Sequence, residues 1–290
     1  AGGYFSFCLC ADDYALSPGV SRGILEALSA GRLSATSVLA TRPFWPKGAH
    51  ELRQFTAKAD IGLHLNFTLG RPLGDMPGFA AWGRLPEIGQ VVKAAWRNDL
   101  PDAEIGQEIS RQLDSFCEHF GATPAFVDGH QHVQLLPQIR SQLFACLEEK
   151  RLSGKVWLRD SFDHPWRILR RGVELRKALE IAWLGRGFAK EASARGYATN
   201  EGFSGFSAFD PGLDYAAEFA RYLRAPGRRH LIMCHPGYCD EELVAADPVT
   251  LSRDRELSFL LSPAFTAMLD RRRARLARLS DAFCTSGRDD

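Results

Sequence analysis

One alternation constrains the fold more than any other feature: short apolar runs, each closed by polar residues, are separated by amphipathic stretches of helical period. The first, residues 5–11, reads as a buried strand and leads, in "SFCLCADDYALSPG" (6–19), straight into the adjacent carboxylates Asp12 and Asp13. Ser17-Pro18 then reads as an N-cap followed by proline at the first helical position. The helix it opens, over 18–30, sets Val20, Ile24, Ala27 and Leu28 on one face and stops at Gly31. "SATSVLAT" (34–41) predicts a second strand, "WPKGAHELRQFTAK" a helix, and "DIGLHLNF" (60–67) a third strand. A helix over 101–120 follows, then "AFVDGHQHV" (125–133) as strand and turn, a helix near 137–151 and the strand "KVWLRD" (155–160). A polar helical region runs to about 196. The strand "RHLIMCHPG" (229–237), a helix near 262–273 and a short strand-like "ARLARL" complete the series. This rhythm predicts an α/β, (β/α)-barrel-like fold, irregular, with mostly parallel strands and outer helices. No linker divides it, so the expectation is a single catalytic domain over 1–290 with an inserted lobe around 161–206.

Charge narrows the partners. Lys and Arg number 36 against 35 Asp and Glu, so no global field draws the chain to nucleic acid or to a membrane. The basic run "DRRRARLAR" (270–278) reads as the solvated face of a late helix. No apolar run is long enough for a membrane span, and the N-terminus lacks the zones of a signal peptide. Seven cysteines without CxxC spacing read as buried free thiols, which predicts a cytoplasmic protein.

The unusual residues gather at one edge of this scaffold. Asp12 and Asp13 close the first predicted strand, and His64 and Asn66 share the polar face of the third. Asp128, His130 and His132 close the fourth, and His235 closes "HLIMCH". In parallel α/β proteins the C-terminal strand ends and the loops after them build the site. A lone strand-end His is more often structural, and an Asp pair more often caps a helix; their coincidence at one edge favours a site. An Asp with two His from different strands makes a 2-His-1-carboxylate site for a divalent metal. Such residues lie too far apart in the chain for a local zinc finger. Of two adjacent carboxylates, one can bind the metal while the other accepts a proton from water.

The blocks "ADDYALSPGVSRGILEA", "TSVLAT", "IGLHLNFTLGRPL", "FVDGHQHVQLLP" and "MCHPGYCDEEL" resemble the YdjC/ChbG-like carbohydrate deacetylase family, in family order over residues 11 to about 243. The resemblance implies a barrel-like fold and metal-dependent hydrolysis of N-acetyl groups on amino sugars. It implies Asp13, His64 and His130 as metal ligands, Asp12 as general base, and His235 as acid or oxyanion support. It points to Mg²⁺, while the donor set also suits Zn²⁺ or another transition metal. Asp128 is placed to orient a histidine. On an extended segment His132 would share the face of His130, as ligand or substrate contact. Arg159 could anchor Asp12 or a sugar oxygen, with a surface ion pair as its other reading. Asn66 joins this group of second-shell or substrate-binding candidates.

Three departures from the family pattern stand out: Tyr14 for Phe, Gly129 for Ser, and Gln134 for His. The extra length around 161–206 is expected to shape substrate choice. The expected partner is an N-acetylated sugar, oligosaccharide or glycoconjugate, and a homodimer is left open. A metal-dependent phosphoesterase or a barrel sugar isomerase could use the same His/Asp set; acetate release separates them from a deacetylase. A non-catalytic sugar- or metal-binding protein would show no turnover that depends on Asp12.

Overall fold

The computed structural model describes residues 3–285. The first half runs β1 (Phe5–Tyr14), α1 (Pro18–Ser29), β2 (Ala35–Val38), α2 (Trp45–Leu52), β3 (Asp60–Leu65), α3 (Ile88–Trp96), α4 (Asp102–Phe120), β4 (Phe126–Gly129), α5 (Pro137–Glu149) and β5 (Trp157–Leu158). The second half runs α6 (Pro165–Arg171), α7 (Leu175–Leu184), α8 (Phe188–Ala194), β6 (Phe203–Ser204), α9 (Tyr215–Tyr222), β7 (His230–Cys234), α10 (Glu241–Ala246), α11 (Leu251–Leu261), α12 (Pro263–Arg272), β8 (Ala274–Leu276) and α13 (Leu279–Thr285).

The strands pair in the order β5-β4-β3-β2-β1-β7-β6, all parallel, with β8 beside β1. Phe7 pairs with both His230 and Leu276, and Ala11 with both Cys234 and Thr36. β8 therefore flanks the start of β1 on the side that β2 takes further along. The result is an irregular parallel barrel-like sheet with helices around it, the architecture that the strand–helix rhythm predicts.

Side-chain alternation on β1 sorts the two cores. Phe7, Leu9 and Ala11 join the large cluster beneath the helices. Cys8 and Cys10 face a second cluster with Phe126, Trp157, Phe203, Leu231 and Met233. Phe126 stacks on Trp157 at 4.2 Å between centroids, and Gly62 of β3 makes room for it: a Cβ there would lie 2.5 Å from the Phe126 ring. α4 shows how the helices are written. Ile105, Ile109, Leu113, Phe116 and Phe120 form its buried stripe, Asp102 and Glu104 sit in its first turn, and Gly121 ends it at φ +84°.

Several elements differ from expectation. The second strand shrinks to Ala35–Val38 and the fifth to Trp157–Leu158, because Leu39, Ala40 and Arg159 already belong to loops. The sequence pattern does not announce α3, α9, α10, α11, α13 or β6. The segment after β4 is not extended: His130–Leu135 forms a 3₁₀ turn with Gln131 and His132 at φ 53° and 60°. The stretch 161–206 contains α6, α7 and α8 and ends by delivering β6 to the sheet beside β7. The six described cysteines are unpaired, four of them buried. Among the described residues no helix is long and apolar enough to cross a membrane.

Candidate active site

The adjacent aspartates are separated by the backbone. Between Ala11 and Tyr14 the β1–β2 register slips, since Ala11 pairs with Thr36 but Tyr14 with Val38, which leaves one extra residue on β1. Asp13 takes the left-handed conformation at φ 71° within this bulge. In a regular strand two neighbouring side chains point to opposite faces; a bulge re-aims one of them. Both carboxylates consequently reach the C-terminal mouth of the sheet, but with different partners.

Asp13 Oδ1 is the meeting point of the two histidines: His130 Nδ1 lies 3.0 Å from it and His64 Nε2 3.3 Å. Its other oxygen accepts from Arg253 Nη2 at 2.8 Å. All three members of the cluster are buried, and their donor atoms lie within 4.8 Å of one another. His64 is fixed from behind by Asp128, whose Oδ1 is 2.6 Å from Nδ1, with Ser37 Oγ also at 3.1 Å. In that contact His64 Nδ1–H donates to Asp128, which turns the Nε2 lone pair toward Asp13 Oδ1. Two acceptors then face each other across 3.3 Å, which requires a second proton on His64 or a cation between them. Burial alone would lower the His64 pKa, but Asp128 and Asp13 outweigh it and raise it to about 10. The donor set therefore fits a divalent cation, bound through Asp13, His64 and His130.

Asp12 occupies a different environment. Arg159 grips it with both ends of the guanidinium, Nη1 to Oδ2 at 2.7 Å and Nη2 to Oδ1 at 2.6 Å. Burial would raise the Asp12 pKa, yet Arg159 holds it well below the usual carboxylate range. Arg159 Nη2 also lies 2.6 Å from Asp128 Oδ2 and 3.0 Å from Cys10 Sγ. Cys10, Asp12 and Asp128 form a second cluster of potential ligands, but the guanidinium already fills the space between them. Arg159 is fully buried, so the surface ion pair is excluded.

His235 follows β7. Its Nε2 is 3.9 Å from Asp12 Oδ2, its backbone N–H donates to Glu256 Oε2 at 2.6 Å, and its ring stands edge-on to Phe209. Burial is the main reason its pKa falls to about 4, so it is neutral at neutral pH. Burial likewise raises Glu256 to about 7. His132 does not join His130. Turned by the left-handed backbone, its Nδ1 meets Ser161 Oγ at 3.0 Å and its ring packs on Phe203 and Phe206. Asn66 serves the loop after β3, donating to Thr41 Oγ1 at 2.8 Å and Leu69 O at 2.7 Å while its Oδ1 accepts two backbone N–H groups.

Sequence reading passed over Arg253, Glu256 and Ser37. The first two sit on α11, whose buried face carries Ser252, Arg253 and Glu256 beside its leucines and so hides its period. A fully buried Arg opposite an Asp is a signal that appears only with the fold.

A family model described as YdjC-like protein matches residues 6–271. The chain belongs to the YdjC-like family. It is 30% identical over 272 residues to a chitooligosaccharide deacetylase of Klebsiella pneumoniae, covering 93% of this chain and 96% of that one. It is 28% identical over 275 residues to a chitooligosaccharide deacetylase of Yersinia pestis, with the same coverage of both chains. Among solved structures, an Enterococcus faecalis protein provisionally described as a cellobiose-phosphate cleavage protein superposes with a TM-score of 0.73 at 20% identity, over 97% of this chain and 99% of that one. That superposition shows the same fold. The YdjC-like match spans every residue of the Asp13/His64/His130 cluster together with Asp12, Arg159 and His235.

Proposed function

We propose that this chain is a metal-dependent hydrolase that removes the acetyl group from the nitrogen of an amino sugar or of an oligosaccharide containing one. One observation carries the reading: His64 and His130 converge on a single oxygen of Asp13 while the neighbouring carboxylate, Asp12, is held apart by Arg159. The likeness to chitooligosaccharide deacetylases supports the choice of substrate class. Asp13, His64 and His130 would hold the cation, which when bound supplies polarisation of the amide carbonyl and a more acidic water.

The remaining work falls to this chain's side chains. Asp128 keeps the His64 proton on Nδ1. Arg159 keeps Asp12 ionised and aimed, so Asp12 takes the proton of the attacking water as the water oxygen bonds to the acetyl carbon. His235 starts neutral and therefore acts first as an acceptor. From 3.9 Å it receives the proton from Asp12, then gives it to the sugar nitrogen as the C–N bond breaks and acetate departs. The helices of 161–206 supply the surface that selects the sugar. The six described thiols, all unpaired, suit a reducing compartment, in keeping with a cytoplasmic enzyme. The test is an acetate-release screen over N-acetylated mono- and oligosaccharides, with Mg²⁺, Zn²⁺, Co²⁺, Ni²⁺ and Mn²⁺ added back singly after chelation. Acetate release that is unaffected by chelation would remove the metal from this scheme.

A further inference from the structure

Trp96 closes α3 and Trp183 lies in the last turn of α7. Their rings approach to 5.2 Å between centroids with planes tilted by 34°, yet they remain 51% and 59% exposed. Single exposed aromatics are ordinary; two indoles brought together from separate helices and left half open to water are characteristic of a binding surface. They form one wall of a cavity of about 320 Å³, with Leu135, Pro137, Arg140 and Arg186 around it. That volume lies at the lower end of small-ligand clefts and has room for a sugar ring with its substituents.

The lining indicates the ligand. A pyranose offers an apolar C–H face that packs on an indole and a hydroxyl edge that hydrogen-bonds, the combination an aromatic wall with polar neighbours receives. Arg140 is partly neutralised, its Nε 3.3 Å from Glu191 Oε2. Arg186 is exposed and has no ion pair among the described residues. The cavity is therefore left with positive charge, which favours an anionic substituent; a guanidinium meets a carboxylate with two parallel hydrogen bonds. Position links it to the site. Leu135 closes the same 3₁₀ turn that begins at His130, and Gly185, next to Arg186, packs against Phe162 and Asp160 beside Arg159.

We infer that the Trp96–Trp183 cavity is a distal sugar subsite that takes an acidic pyranose ring of the same glycan whose N-acetyl group is removed. Its place in catalysis rests on the deacetylase reading, but its binding chemistry can be measured alone. The probe is an aldobiouronic acid disaccharide lacking any N-acetyl group, compared with cellobiose. Both are titrated into the full chain by calorimetry and tryptophan fluorescence. The acidic disaccharide should bind about tenfold more tightly than cellobiose, the value of one charge-assisted contact. Arg186→Ala should abolish that preference while keeping weak neutral binding, and Trp183→Ala should weaken both ligands about tenfold. On an N-acetylated acidic oligosaccharide, Arg186→Ala should raise KM with kcat held. Equal affinity for the two disaccharides, or unchanged binding in the Trp183→Ala and Arg186→Ala variants, overturns the inference. So does a dimer in sedimentation that Trp183→Ala disperses, because the indoles would then be covered by a second copy. Should acetate release fail for every glycan, the acidic probe must still bind; probe binding lost while acetate release persists overturns the subsite alone.

Discussion

Arg159 and Asp12 are joined by two parallel hydrogen bonds of 2.7 and 2.6 Å, and the same guanidinium lies 2.6 Å from Asp128. The carboxylate proposed as base and the carboxylate that orients His64 thus share one buried cation. Arg159→Met should strip buried Asp12 of its cation and leave Asp128 with His64 alone, destabilising the fold by about 3–5 kcal/mol, read as a large drop in Tm. Arg159→Lys keeps the charge but loses the planar fork. That variant should fold and retain metal while acetate release falls at least tenfold. A lysine variant with wild-type turnover would show that two-point orientation of Asp12 is unnecessary.

Gly129 and Gln134 are one packing unit. A Cβ on Gly129 would lie 2.5 Å from Gln134 Oε1 and 3.0 Å from the Gln134 backbone nitrogen. Gln134 is fully buried. Gly129→Ser should therefore overpack the turn that presents His130 and lower stability by about 1–3 kcal/mol. Shortening the partner should relieve it, so Gly129→Ser with Gln134→Ala should be more stable than the two single changes predict by addition. Thermal melts of the three variants measure the coupling, and strict additivity would disconnect the positions.

How much of this was legible in the sequence follows from local pattern. β1, α1, β3 and α4 announce themselves through apolar runs, a Ser-Pro start and a Gly stop, and β8 was visible as a short apolar alternation. The Asp/His edge was visible because each residue lies near the C-terminal end of a strand. The direction of His132 was not, since nothing local reveals the left-handed backbone that turns it from His130 to Ser161. Arg159 was visible as a strand-end charge but not as the clamp between Asp12 and Asp128, a relation made only by bringing β1, β4 and β5 together. Arg253 and Glu256 were hidden because α11 buries charge on the face that usually carries the hydrophobic signal.

His230, at the start of β7, gives the fold an acid-sensitive point outside the Asp13/His64/His130 cluster. Its Nδ1 accepts the Gly227 N–H at 3.3 Å, which leaves the proton on Nε2, 2.9 Å from Ser204 Oγ. Burial first, and Arg171 second, hold its pKa well below the ordinary value of 6.5. The unfolded state then takes up a proton near pH 6.5 that the folded state refuses. The contribution to stability is complete above that pH and lost progressively as pH falls below it. His132 and His235 act with the same sign, while Asp160 and Glu256, raised to about 7, act with the opposite one. Replacing His230 by Asn should therefore flatten, without abolishing, the fall of the urea midpoint between pH 6.5 and 5. An unchanged slope would mean that His230 is protonated alike in both states.

Asp12 and Asp13 tolerate adjacency because the bulge in β1 gives them separate cationic partners: Arg159 for Asp12, and Arg253 with the proposed metal site for Asp13. Their asparagine variants should fail differently. Asp12→Asn keeps the shape and leaves the Asp13/His64/His130 cluster intact, so metal content should remain while acetate release falls by about 10²–10⁴-fold, the usual worth of general-base assistance. Asp13→Asn removes the oxygen on which both imidazoles converge. Metal content should drop, the thermal stabilisation gained from added metal should shrink, and activity should recover in part at high metal concentration. Metal analysis and acetate release measured side by side decide the matter. If Asp12→Asn stays near the wild-type rate, or loses its metal as Asp13→Asn does, the two carboxylates do not divide the work in this way.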